Sequence, residues 1–154
     1  MKWTEIVTAI VAVFALALSA YNSIQQSRHN KPKVKVKISE GFIVCGNGKT
    51  SEVMVFLSAS NMGQMSITLS SQSFRLPNKK YLAVPMPLSN VKFPYELLPR
   101  KACKIWLEAR ELANGIKSSG LSGKIKIIGI YTDQTDISYK SKPFKFDADE
   151  WNKN

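Results

Sequence analysis

The sequence predicts a mainly β protein, with one apolar N-terminal helix followed by an antiparallel β-sandwich. Two observations carry that prediction. No charged side chain interrupts residues 6–27, and beyond residue 33 the chain alternates apolar and polar residues over seven or more short stretches punctuated by Gly, Pro, Ser and Asn. Period-two alternation at that spacing marks half-buried strands, and seven or more short strands in about 115 residues mark a sandwich.

The apolar segment opens on Ile-Val-Thr-Ala-Ile-Val-Ala-Val-Phe and is flanked by Trp3 and Tyr21. At about 1.5 Å per residue a helix between those aromatics covers roughly 28 Å, close to the hydrocarbon thickness of a bilayer. The expected layout is a transmembrane anchor over residues 1–21, a polar juxtamembrane stalk over 22–32 broken at Pro32, a β-sandwich over 33–147 and a polar tail over 148–154. A cleaved secretory signal is the rival reading, with Ala15-Leu16-Ala17 or Ala17-Leu18-Ser19 as cleavage sites. Glu5 beside the apolar start and the lone Lys2 argue against it. A buried helix of a soluble domain fits less well, because apolar residues surround the whole helix.

Orientation follows from the flanks. Lys2 and Glu5 precede the anchor, whereas Arg28, Lys31, Lys33, Lys35 and Lys37 follow it. Basic residues near a span favour the cytoplasmic side, so the soluble domain is expected there. The chain carries a net charge of +11, and 19 basic against 10 acidic side chains lie from residue 33 onward. The excess therefore belongs to the domain. Anionic lipid headgroups are the natural polyanion beside an anchor, each well-placed Lys or Arg contributing about 1 kcal/mol. Nucleic acid is not expected, because the basic residues are scattered and form no recognition motif.

Within the domain, Val34, Val36 and Ile38 interleave with lysines as a first strand, and Val53, Val55, Leu57 and Ala59 share one face of a second. Gly46-Asn47-Gly48-Lys49 is the turn between them. Further strands are expected over 65–69, 73–76, 80–84, 91–97 and 102–107, then a helix over 108–114 ended by Gly115. Residues 123–131 and 137–146 read as a closing hairpin.

Catalytic chemistry is not expected. His29 is the only histidine and falls in the stalk, so no Ser-His-Asp or Cys-His arrangement has a scaffold. Two distant cysteines and one histidine make no closed metal site. Asp147, Asp149 and Glu150 before Trp151 read as a solvated acidic tail, and no cofactor is called for. Cys45 and Cys103 are expected as free thiols in a cytoplasmic domain, with a bridge between them open only if the domain is exported.

Three surfaces stand out. Thr8, Ala12, Ala15 and Ser19 recur at steps of four and three, forming a small, polar helix face suited to a membrane-protein partner or a second copy. Lys33, Lys35, Lys37, Lys124 and Lys126 form a candidate lipid or polyanion face. Leu82, Val84 and Met86, in a proline-rich stretch, and Trp106, out of phase with Cys103, Ile105 and Leu107, form a candidate partner surface. A flap over the core is the competing role for the proline-rich stretch.

The motifs Ser60-Asn61-Met62-Gly63, Leu97-Leu98-Pro99-Arg100 and Tyr131-Thr132-Asp133 give residues 33–147 a pattern that resembles small immunoglobulin-like or fibronectin-like domains of bacterial membrane and envelope proteins. The resemblance implies an immunoglobulin-like sandwich and carries over no binding residues. Leu121 and Ile125 stand where a tyrosine corner would be sought, and the cysteines do not bracket a core Trp. The expected function is a non-catalytic interaction module or accessory subunit of a membrane complex. The alternative is a basic domain that binds anionic headgroups or another polyanion.

Overall fold

The computed structural model describes residues 2–29, 31–44, 46, 48–84 and 87–152, the side chains of Arg28, His29 and Asn152 excepted. The expectations placed on Cys45, Asn47, Pro85 and Met86, and on the side chain of His29, lie outside the described residues. The chain is mainly β, with an apolar helix α1 (Trp3–His29) preceding two antiparallel sheets. Its strands are β1 (Val34–Gly41), β2 (Met54–Asn61), β3 (Ile67–Arg75), β4 (Tyr81–Ala83), β5 (Leu88–Ser89), β6 (Tyr95–Leu97), β7 (Ala102–Glu108), β8 (Lys124–Asp133), β9 (Ser138–Lys140) and β10 (Phe144–Asp147). A second helix, α2 (Ala109–Ser118), sits between β7 and β8.

α1 runs unbroken to His29, through most of the segment assigned to the stalk, and stops before Pro32, whose ring and missing N–H cannot continue a helix. The stretch Trp3–Ser27 is long and apolar enough to cross a membrane, and none of its most apolar window is buried against the β domain.

The first sheet has the order β1-β2-β7-β5 and the second β10-β8-β3-β4, with β6 also on β3 and β9 on β8. Alternation decides what each strand buries. Val36, Ile38, Val55, Leu57, Ala59, Cys103, Ile105 and Leu107 point inward from the first sheet, and Leu69, Phe74, Ile127, Tyr131 and Phe146 join them from the second in one core. Tyr131 is the largest fully buried side chain, and its hydroxyl donates to Leu57 O across the sheets at 2.8 Å. Gly129 leaves room for that approach, since a Cβ there would collide with Leu57 and crowd Ile38. At the β1 edge, buried Ser141 bridges to Val36, and its hydroxyl accepts from Gly129 N at 2.9 Å, stitching the two sheets together.

Several elements differ from the sequence reading. Residues 65–69 and 73–76 are not two strands. They merge into one β3, whose register shifts between Leu69 and Ser71, because the serines between them continue to pair with β8. Residues 91–97 do not form a full strand: only Tyr95–Leu97 pairs, after Pro94, which has no N–H to give a ladder. The helix passes through Gly115 rather than ending there. Leu82 packs on that glycine, whose added Cβ would meet Leu82 Cδ1 and Cδ2 at 2.9 Å. α2 ends instead at Ser118, closed beyond its cap Ser119 by Gly120 (φ +87°), where Gly120 N donates to Lys117 O at 2.9 Å and Leu121 N to Ile116 O at 3.3 Å. That is the paired closure of a Schellman motif, and it requires the left-handed residue glycine accepts most readily. Beyond residue 147, Ala148 is fully buried and Trp151 packs against the core.

Candidate functional site

The predicted surfaces are best judged by which end and which face of the two sheets they occupy. β1 starts at Val34 opposite Asn61, β7 starts beside Ser60, and β8 ends at Asp133 opposite Leu69. These residues define the end of the domain nearest α1. Lys124, opposite Asp147, lies at the other end.

The five lysines therefore do not make one face. Lys33 precedes β1, and Lys35 and Lys37 project from its outer side, while Lys124 and Lys126 stand on the second sheet at the far end. There they line an open cavity of about 780 Å³ with Lys145 and the carboxylates of Glu40, Asp147, Asp149 and Glu150. Partial burial, followed by repulsion from Glu150, pushes the Glu40 carboxyl above its ordinary value. Asp149 is paired with Lys117 at 3.1 Å. Lysines so closely matched by carboxylates hold little net charge for a polyanion.

The predicted partner surface divides as well. Leu82 and Val84 pack against the core, as a flap would. Trp106 lies on the outer side of β7, opposite Phe56 of β2 and exposed Leu88 of β5. The Phe56 and Trp106 rings are tilted at 6.3 Å between centroids, and Lys104 Nζ lies 5.3 Å from the Phe56 centroid. That distance is within the range of a cation–π contact. The outer face of the first sheet thus grades from Lys35 and Lys37 to an aromatic–aliphatic cluster.

On α1, Thr8, Ala12, Ala15 and Ser19 are all exposed. Thr8 Oγ1 donates to Thr4 O at 2.7 Å, so its proton is already used within the helix. Small side chains, more than hydroxyls, distinguish this face.

The three motifs behind the family resemblance converge at the α1-proximal end. Asn61, almost fully buried, donates to Met65 O at 2.7 Å and Leu97 O at 2.9 Å and accepts from Gly63 N at 2.9 Å. Its backbone N–H bonds Lys101 O, and its carbonyl accepts from Arg100 N, each at 3.0 Å. Met62 N reaches Lys33 O at 2.7 Å, tying in the linker from α1. Asp133 organises the neighbouring loop by accepting from Thr135 N, Thr135 Oγ1, Ile137 N and the Tyr139 hydroxyl. Burial disfavours its charge, but these donors outweigh burial and hold the carboxyl below its ordinary value. Burial and the bond to Asp133 push Tyr139 up to about 12. Asn61-x-Gly63 and Asp133-x-Thr135 are the sequence signatures of such side-chain-closed turns. The sequence reading quoted Ser60-Asn61-Met62-Gly63 and Tyr131-Thr132-Asp133 without assigning Asn61 or Asp133 this role.

Among the described residues no group of three or more His, Cys, Asp and Glu side chains is placed to hold a metal ion. Cys103 is buried, and burial raises its thiol pKa above the ordinary value, which disfavours the nucleophilic thiolate.

No family model and no curated protein matches the chain. One solved structure similar to it is the X-ray structure of Northeast Structural Genomics Consortium target SoR45, with a TM-score of 0.36 and 13% identity over 74% of this chain and 85% of that one.

Proposed function

We propose that this chain is a single-pass membrane protein whose β domain, an immunoglobulin-like sandwich on the cytoplasmic side, is a non-catalytic interaction module or accessory subunit of a membrane complex. The observation that carries the reading is the uncovered apolar surface of α1. Val7, Val11, Phe14, Leu16 and Leu18 are all at least half exposed. A continuous apolar surface of that length is untenable in water and ordinary in a bilayer. Trp3 and Tyr21 suit its two interfaces, and the basic residues after it suit a cytoplasmic exit.

The two antiparallel sheets around one core support the sandwich reading. The cluster of Phe56, Leu88 and Trp106 supports a partner-binding role, because aromatic side chains beside a basic rim recur at protein interfaces. The small face through Ala12 and Ala15 offers a second contact inside the bilayer.

Co-purification of the full chain in mild detergent tests the function. A stoichiometric partner should survive on the wild type and be lost or weakened at least tenfold by Trp106→Glu or Ala15→Leu. A chain that purifies alone, and whose cellular assembly state neither substitution alters, removes the accessory-subunit reading.

A further inference from the structure

The α1-proximal end of the domain exposes four large apolar side chains: Met62 (65%), Met65 (50%), Leu98 (48%) and Ile137 (47%). They sit on the loops that Asn61 and Asp133 hold in place. Two shallow depressions group them with their neighbours. Met62 lines one of about 340 Å³ with Arg100 and Lys101, while Met65 and Ile137 line another of about 260 Å³ with Pro32. Lys31, Lys33, Arg100 and Lys101 are exposed at the same end, where they outnumber the exposed carboxylates Asp136 and, on β6 opposite Thr68, Glu96. Apolar tips ringed by cations match the interfacial layer of an anionic bilayer, which takes apolar groups at acyl depth and cations at headgroup depth.

Backbone conformation adds a second observation. Arg100 adopts φ +61°, a left-handed geometry that favours glycine, yet a long cationic side chain occupies the loop tip. Covalent continuity supplies a third. β1 begins five residues after α1 ends, so the tether holds this end beside whatever surface α1 emerges from. Tethering makes contact intramolecular, with an effective concentration on the order of millimolar, so weak individual contacts suffice.

We propose that this end of the domain seats on the membrane itself. Met62, Met65, Leu98 and Ile137 enter the interfacial layer, while Lys31, Lys33, Arg100 and Lys101 pair with the phosphates of anionic lipids. The proposal rests on the membrane-anchor reading of α1. It leaves the outer face of the first sheet free for a partner and fixes the angle at which that face is presented.

The test uses the full chain with Cys45→Ser, carrying an environment-sensitive fluorophore at Met62→Cys or, at the opposite end, at Ser122→Cys. The protein is reconstituted in phosphatidylcholine vesicles with and without phosphatidylglycerol, and flotation is scored separately. The Met62 label should shift to the blue and be quenched by headgroup-proximal spin-labelled lipid only with phosphatidylglycerol, while the Ser122 label stays aqueous. Reversing Lys31, Lys33, Arg100 and Lys101 to Glu should abolish the shift without affecting flotation. Arg100→Gly, which removes the cation but keeps the turn, should weaken it severalfold. Equal signals from the two labels, or a Met62 signal indifferent to phosphatidylglycerol and to charge reversal, would overturn the docking proposal. Failure of the wild type to float would instead overturn the anchor reading.

Discussion

Asn61 and Asp133 have a structural influence out of proportion to their size, because each closes a loop from inside. Replacing Asn61 by Ala strands two backbone carbonyls and one N–H, and buried polar groups left without partners cost about 1–3 kcal/mol each. Asn61→Ala should therefore lower unfolding free energy by at least about 2 kcal/mol in urea titration. Asp133 makes stability pH-dependent. Its folded pKa lies below its unfolded one, so the unfolded state binds the proton more readily in acid. The Asp133 contribution is complete above the ordinary carboxylate value and is lost as pH falls through the lower folded one. Asp133→Asn should flatten that acid limb in denaturation curves collected between neutral pH and pH 3. Arg100→Gly trades relief of a left-handed backbone against a more flexible unfolded chain, so stability should change by less than about 1 kcal/mol.

At the scale of elements, α2 shows how tertiary packing overrides a local stop signal. Gly115 is tolerated mid-helix because Leu82 of β4 lies against it, and the helix continues until Gly120 closes it. Gly115→Ala gains about 1 kcal/mol of helix propensity. The same substitution forces the far end of the Leu82 side chain to move, so the thermal midpoint should stay nearly unchanged. Gly115→Val adds bulk without that propensity and should destabilise by about 1–3 kcal/mol in the same assay. Gly129→Ala should cost at least as much, because there the Cβ collides with Leu57 in the fully packed core. The strand reading was most accurate where both faces differ sharply, as in β1, β2 and β7, whose buried sets match the alternating residues in the sequence. It failed over residues 65–76, where serines make the pattern ambiguous and pairing to β8 decides continuity. It failed again at Gly115, where the deciding neighbour is more than thirty residues away.

For the whole molecule, an exposed apolar helix and a self-contained β core make separable predictions. Full-length protein should float with vesicles and resist alkaline extraction, whereas the core substitutions above should alter unfolding without altering flotation. The candidate surfaces were only partly legible. Trp106 was correctly placed on an outer face, because phase along a strand is a local property. The set of Lys33, Lys35, Lys37, Lys124 and Lys126 was assembled without knowing which strands share a sheet, and the fold distributes it over two sheets and two ends. The loops that form the α1-proximal end were visible as turn motifs. Their convergence was not, since it depends on strand direction and pairing.

The sequence by itself determined the apolar helix, the predominance of β structure, the basic charge and which side of each clear strand is apolar. All of these follow from the order and periodicity of neighbouring residues. Tertiary structure alone decided which lysines have carboxylates as neighbours, that Leu82 and Val84 serve the core, and that three separate turns meet beside the tether around Asn61 and Asp133. Those outcomes depend on contacts between residues far apart in the chain, where burial and hydrogen-bond satisfaction across the two sheets select the arrangement.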